Sequence, residues 1–268
     1  MARGLADIGA EGVLLAGAGR AILLQIADPR VGHGVAEHSN FADRPQDRLR
    51  ATLTYVYAVV YGTEEQVATV RRAVNRAHAP VRRTATDGSQ GYNAFDAESQ
   101  LWVVATLYDT AVTVYEQVHG PLDDDTAERM YQDYARIGTA LQLPADMWPR
   151  DRAAFAQYWA SRLGVLRPDE KARKIARDLL YPAGGPALMR LAMPVARFLT
   201  AGLLPDHLRE GFGFDWTPQD DRRFERTMRA VGLVYPRLPQ RIRYWPRDYY
   251  LGSLKPAPLR AGRKVRNA

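Results

Sequence analysis

The chain has 268 residues, of which 46% are hydrophobic and 25% charged, a composition typical of folded globular proteins. It contains no cysteine, which excludes disulfides, iron–sulfur clusters, thiolate haem ligation, cysteine-based zinc sites and cysteine nucleophiles. Residues 255–268 hold five basic residues and no acid, while the net charge of the whole chain is +7, so the rest is nearly neutral and nucleic-acid binding is not favoured.

Apolar residues recur at helical spacing along the chain, and stretches with period-two alternation are missing. We therefore expect an all-α protein, with one compact multi-helix bundle over residues 1–254 and a basic, disordered tail over 255–268. The first helix is predicted at residues 8–26, ending before Asp28-Pro29 and followed by a loop at 31–41.

The second and third helices are marked by clear boundary residues. The second is predicted from Pro45 to Gly62 and the third over residues 64–79. Thr63 and Gln66 have the spacing of a capping box at the start of the third helix. Residues 81–95 are predicted to form a loop.

Asp96 is expected to cap a long apolar helix reading LWVVATLYDTAVTVYEQVHG, which belongs in the middle of the fold. Further helices are predicted at residues 124–142, 151–163, 168–180, 187–204 and 218–234, followed by an irregular arm at 235–252. No secretory signal is legible, and we expect a cytoplasmic location.

The segment 184–204 is the one candidate for a membrane segment, but Arg190, Pro194 and Arg197 interrupt it, so it is not predicted to span a membrane. Two interpretations stay open for this segment. It is either a kinked core helix or a helix that makes peripheral contact with a membrane surface through its two arginines.

His78 is the best candidate metal ligand among five histidines. Val67, Val70 and Val74 are spaced by three and four residues, and a further step of four places His78 on the same buried helix face. A histidine in that position is either a ligand or a core side chain with an ordinary hydrogen-bond partner, and the pattern alone does not decide between them.

Two further observations concern polar residues on apolar helices. Arg48, Thr52 and Tyr55 follow one another on one helix face, where they either line a polar pocket or face water. Asp109 lies inside the most apolar helix, and a buried carboxylate there needs a partner, which an arginine such as Arg48 could supply.

Glu116 and His119 have the Glu-x-x-His spacing of di-iron bundles, but that site needs a second copy, which the sequence lacks. His119 is better explained as a cation at a helix C-terminus. Phosphate-binding glycine loops, the nucleophile elbow and the His-Glu-x-x-His zinc motif are also absent from the sequence.

Four blocks within residues 23–122 resemble the haem-dependent oxygenase family of latex-clearing rubber oxygenases and MpaB-type enzymes. They read LLQIADPRVGHGVAEHS, FADRPQDRLRATLTYVYAVVYGT, VRRAVNRAHAPV and QLWVVATLYDTAVTVYEQVHGPL. The resemblance implies a helical fold enclosing one haem b, with His78 as the iron ligand. It also implies a pocket in which Arg48 and Thr52 act on O2, and we add Tyr55 and Asp109 as pocket residues.

The sequence departs from the family pattern at two positions. Ala51 stands where rubber oxygenases have a lysine, so a lysine-capped haem cannot be carried over. Val104 stands where many MpaB-like relatives are expected to have a histidine.

The resemblance implies an oxidoreductase that uses O2 to oxidise an apolar, alkenyl or isoprenoid-like substrate, with C=C cleavage as one outcome. The alternative is a haem protein without turnover, for storage or gas sensing. No nucleic-acid partner is expected.

Overall fold

The structure is a computed structural model that describes residues 4–38, 45–86, 91–182, 184 and 187–254, without the side chains of 45–48 and 188. These residues form an all-α fold, as predicted. The helices are α1 (Leu5–Ile8), α2 (Ala18–Ile26), α3 (Pro29–His38), α4 (Pro45–Tyr61), α5 (Glu64–His78), α6 (Ala97–His119), α7 (Asp124–Thr139), α8 (Arg152–Val165), α9 (Glu170–Leu180), α10 (Ala187–Leu203), α11 (Asp206–Gly211), α12 (Pro218–Val234), α13 (Gln240–Arg243) and α14 (Trp245–Ser253).

Short 3-10 helices at Gly12–Gly17, Ala145–Met147 and Tyr235–Arg237 lie between these helices. Within the predicted loop 81–95, β1 (Arg82–Arg83) pairs antiparallel with β2 (Tyr92–Asn93). The predicted tail, residues 255–268, lies outside the described residues.

The predicted helix starts are confirmed by their caps. Asp96 accepts a hydrogen bond from the backbone N–H of Ser99 at 2.8 Å. Thr63 and Gln66 form the predicted capping box, because each side chain accepts from the other residue's backbone N–H. α12 begins with a second capping box, formed by Thr217 and Asp220.

α6 lies in the centre of the described fold, as its composition predicts. Its side chains reach all three apolar clusters of the core: Tyr108 packs in the first, Trp102 in the second, and Val114 in the third. Trp102 and Val114 are fully buried. The other helices are therefore arranged around α6.

The prediction of one helix over residues 8–26 was wrong. The chain instead forms α1, a 3-10 turn and α2, and glycines separate these pieces. A Cβ atom on Gly12 would lie 2.7 Å from the carbonyl oxygen of Arg243, so the break lets the C-terminal segment approach the backbone closely.

The predicted loop at 31–41 also begins as a helix, α3. Pro29 occupies its first position, where a missing N–H costs nothing, and the Asp28 carboxylate accepts from the backbone N–H of Arg30 at 2.9 Å. Proline here starts a helix as well as ending the one before it.

The predicted irregular arm is helical too. Pro239 immediately precedes α13 and Pro246 lies in the first turn of α14, both positions that tolerate proline. The arm is attached to the N-terminal segment through buried Glu11, whose two carboxylate oxygens accept from Arg243 Nη1 at 2.7 Å and from the Tyr235 hydroxyl at 3.0 Å.

α10 contains Pro194, as its kinked-helix interpretation requires. The guanidinium of Arg197 donates to the carbonyl oxygen of Leu180 at 3.0 Å and lies 4.4 Å from the Tyr181 ring centroid. Arg197 therefore caps the end of α9. Among the described helices, none has the length and apolar character needed to cross a bilayer.

Candidate functional site

A mostly apolar cavity of about 120 Å³ lies among α2, α4, α6 and α7. α4 contributes the longest wall, because residues three and four apart on one helix face point the same way. The lining residues are Leu5, Gly9, Leu14, Leu15, Gly17, Ala18, Ala21, Ile22, Gln25, Leu49, Thr52, Leu53, Val56, Tyr57, Val60, Tyr61, Leu107, Thr110, Ala111, Met130 and Tyr134.

A few polar groups interrupt this apolar wall. Thr52, Thr110 and Gln25 line the cavity, and buried Gln25 donates to the Thr106 hydroxyl at 3.1 Å. Tyr61 donates its hydroxyl to the carbonyl oxygen of Ala6 at 2.7 Å. Such a pocket accepts an apolar molecule and leaves hydroxyl and amide groups to orient it.

The phenols of the cavity wall stay protonated at neutral pH. Burial raises the pKa of Tyr57 to about 12, and it raises the pKa of Tyr61 and Tyr134 further. These side chains can therefore donate hydrogen bonds but do not act as bases.

Asp109 has an arginine partner, as its position demands, and among the described side chains that partner is Arg20. Arg20 Nη2 donates to the Asp109 carboxylate at 2.6 Å, Nη1 to the Thr110 hydroxyl at 2.7 Å, and Nε to the carbonyl oxygen of Leu203 at 2.8 Å. Burial raises the pKa of Asp109 more than Arg20 lowers it. The Arg20–Asp109 pair lies behind the cavity wall. Thr110 connects the pair to the cavity, because it lines the cavity and accepts a hydrogen bond from Arg20.

The side chains that were expected to share one polar face of α4 have different surroundings in the structure. Thr52 lines the cavity, whereas buried Tyr55 donates its hydroxyl to the carbonyl oxygen of Ile137 at 2.6 Å and does not line it. Burial raises the pKa of Tyr55. Of the residues predicted to line a pocket on this face, Thr52 therefore lines the cavity and Tyr55 does not, and the Arg48 side chain lies outside the described residues.

His78 is the last residue of α5 and does not line the cavity. It is half-buried, and its ring lies edge-on to Phe95 with centroids 6.2 Å apart. The short connection at Gly62 and Thr63 makes α4 and α5 an antiparallel hairpin. The last turn of α5, which holds His78, is therefore at the same end of the hairpin as the first turn of α4.

His119 is not a helix-terminal cation. Its ring stacks on Tyr115 with centroids 4.5 Å apart, and Nε2 lies 3.9 Å from the Glu11 carboxylate. Burial, together with Arg243, lowers the pKa of His119 and favours the neutral ring. Glu116 accepts from the backbone N–H of Leu122 at 3.1 Å.

Within the part of the chain that the structure describes, no group of three His, Asp or Glu side chains converges to hold a metal ion. A haem iron needs only one protein ligand, so this finding does not bear on His78.

Sequence reasoning missed Arg20 and Gln25. The signal was there, since both interrupt the apolar run of α2 with polar groups.

Comparison with known proteins identifies the family of the chain. The family model described as ER-bound oxygenase mpaB/B'/rubber oxygenase, catalytic domain, matches residues 6–233. Uncharacterised proteins of Mycobacterium bovis and Mycobacterium tuberculosis are each 38% identical over 249 residues, covering 91% of this chain and 97% of the relative. No solved structure matches the chain. The chain therefore belongs to the family of ER-bound mpaB/B' and rubber oxygenase catalytic domains.

Proposed function

We propose that the protein is a haem b-dependent oxygenase that uses O2 to oxidise an apolar, alkenyl or isoprenoid-like substrate. The apolar cavity carries this proposal, because its walls would hold an unsaturated hydrocarbon chain and keep water away from it. Family membership supports the oxygenase class, and the lining residues support the apolar character of the substrate.

The donor set of the described residues fits a haem in its chemistry. The sequence has no cysteine for thiolate ligation, and an imidazole such as that of His78, the last residue of α5, is a protein ligand that a haem iron would accept. We assign the iron to His78 because it is the histidine of the block VRRAVNRAHAPV, one of the four blocks that resemble the haem-dependent oxygenases.

When bound, the haem supplies the redox chemistry that O2 needs to react with an organic molecule. We assign to Thr52 and Arg48 the hydrogen bonds that stabilise negative charge developing on oxygen. The apolar walls from α2 and α6 hold the substrate and exclude water.

Cleavage of a C=C bond is the reaction outcome that we favour. One O2 and one alkene give two carbonyl groups, so all atoms and electrons balance without an external reductant.

The experiment is an absorption spectrum of the purified protein, oxidised and reduced, with and without CO, for wild type and His78→Ala. We expect a haem spectrum in the wild type and its loss or collapse in His78→Ala, because no other axial ligand of the same geometry replaces the imidazole. His207→Gln is the matched control, since His207 is also half-buried near a helix end and should keep the spectrum.

A wild-type spectrum in His78→Ala would contradict the ligand assignment. A haem spectrum and CO binding without consumption of O2 in the presence of alkenes would instead indicate a haem-binding or gas-sensing protein, which is the alternative function.

A further inference from the structure

We propose that α13 and α14 form a docking surface for an anionic lipid membrane. Three large apolar side chains project from this segment into solvent: Ile242 is 59%, Trp245 60% and Tyr249 47% exposed. Trp245 and Tyr249 stack with ring centroids 5.3 Å apart, and Ile242 lies three residues before Trp245. We call these three residues the aromatic ridge.

The composition of the ridge is that of a membrane interface. Tryptophan and tyrosine concentrate at the level of lipid headgroups, because their rings are apolar and their N–H and O–H groups reach water. A protein surface that contacts only water is not stabilised by exposing an indole, a phenol and an isoleucine side chain side by side.

The charge around the ridge complements an anionic surface. Residues 235–254 contain four arginines and one acid. The single acid, Asp248, is paired with Arg247 at 2.7 Å, whereas Arg237 and Arg241 are exposed. A cluster of basic residues on an amphipathic segment is typical of binding to anionic lipids.

The ridge is held rigidly by the body of the protein. Arg243 pairs with buried Glu11, and buried Pro246 packs where Gly12 leaves room. The exposed rings are therefore not a frayed end, and docking would not pay the entropy of ordering a disordered segment.

The surface also lies next to the cavity. Tyr250 of α14 stacks on Tyr57 with centroids 5.7 Å apart, and the Arg247 guanidinium lies 5.6 Å from the ring of Tyr61. Tyr57 and Tyr61 both line the cavity. Docking through the ridge thus places a lipid phase beside a pocket for apolar molecules, although the docking itself does not depend on haem or turnover.

A membrane explains the ridge better than a nucleic acid does, since Ile242 has no group that could form a hydrogen bond with a base or a phosphate. The ridge is also a better candidate for the membrane-docking surface than α10, the helix for which the sequence left peripheral membrane contact open. That helix exposes Leu191 (77%) and Val195 (60%), but Arg197 is committed to the end of α9.

The test is co-sedimentation of the full chain with vesicles of phosphatidylcholine alone or mixed with phosphatidylglycerol. We expect binding to the anionic vesicles at low ionic strength, weakened at about 0.15 M salt, where the Debye length is about 8 Å. The double substitution Trp245→Ser with Tyr249→Ser should abolish binding, and Arg241→Glu should weaken it about fivefold or more. Leu191→Ser with Val195→Ser on α10 is the matched control and should bind as wild type.

Tryptophan emission provides a second readout. It should shift to the blue on addition of anionic vesicles, and Trp245→Phe should remove the shift while keeping most of the sedimentation. Three results would overturn the proposal: no binding to anionic vesicles, full binding by the ridge double variant, or loss of binding only in the α10 variant. Tighter binding to a single-stranded oligonucleotide than to vesicles would also overturn it, in favour of a nucleic-acid partner.

Discussion

Arg20 and Asp109 form a charged pair in the apolar interior, directly behind a cavity wall. The Arg20 side chain is 6% and the Asp109 side chain 22% exposed, and Arg20 has two further acceptors, Thr110 and Leu203. Separating charges from water is costly, so each member of such a pair depends on the other.

We expect Asp109→Ala to lower the free energy of unfolding by about 3 kcal/mol, because it leaves a buried guanidinium without its counter-charge. The double replacement Arg20→Met with Asp109→Leu should be less destabilised than Asp109→Ala alone, since it removes both charges. Urea denaturation of the three proteins measures this. A double variant that is destabilised as much as Asp109→Ala, or more, would contradict this coupling.

This pair illustrates what single residues reveal in a sequence. The position of Asp109 in an apolar helix predicts that it needs an arginine partner. The position does not identify that arginine, because Arg20 is 89 residues away in the sequence. The same holds for Tyr55. Helical spacing groups it with Thr52, whereas the nearby carbonyl of Ile137 on α7 decides where its hydroxyl points.

At the scale of elements, Glu37 connects α3 to the β1–β2 ribbon and to α9. Its carboxylate accepts from Arg83 at 2.7 Å, from the Tyr92 hydroxyl at 2.8 Å and from Lys171 at 3.0 Å. The hydrogen bond from Tyr92, then those from the cations, lower the pKa of Glu37 to about 2 from an ordinary value of 4.5.

A lowered acid pKa contributes stability that is complete above pH 4.5 and is lost as the pH falls towards 2. We therefore expect Glu37→Gln to be less stable than wild type at pH 6, with the difference shrinking between pH 4.5 and 2. Thermal unfolding across this range measures it. Glu225→Gln, an exposed glutamate on α12, is the control and should follow wild type throughout, and a difference for Glu37→Gln that does not depend on pH would contradict the assignment.

Elements with strong local signals were predictable. α5, α6 and α12 begin at the expected caps, because a cap is a contact within four residues. The sequence analysis missed α3 and α14 because Pro29 and Pro246 look like helix breakers in the sequence. In the structure both prolines lie in the first turn of a helix, and the neighbouring helices pack against these turns.

For the whole molecule, we expect a chain ending at Leu254 to keep its fold. The last described turn is fixed by contacts that precede the tail: Gln66 donates to the Leu254 carbonyl oxygen at 3.4 Å, and Tyr250 stacks on Tyr57. The melting temperature should stay within about 2 °C of wild type. Circular dichroism measures it.

A chain ending at Val234 is the contrasting control, because it removes the partners of Glu11 and should melt at a clearly lower temperature. A large loss on removing only residues 255–268 would show that the tail is structural.

The attachment of the arm to the N-terminal segment has a consequence for synthesis. Glu11 is paired with Arg243, 232 residues later, and the backbone N–H of Val13 donates to Tyr235, 222 residues later. Glu11 leaves the ribosome long before these partners exist, so its carboxylate stays solvated until the arm has been synthesised. Closure of the fold is therefore a late, long-range step, and a message truncated before the arm yields a chain that cannot bury its own beginning.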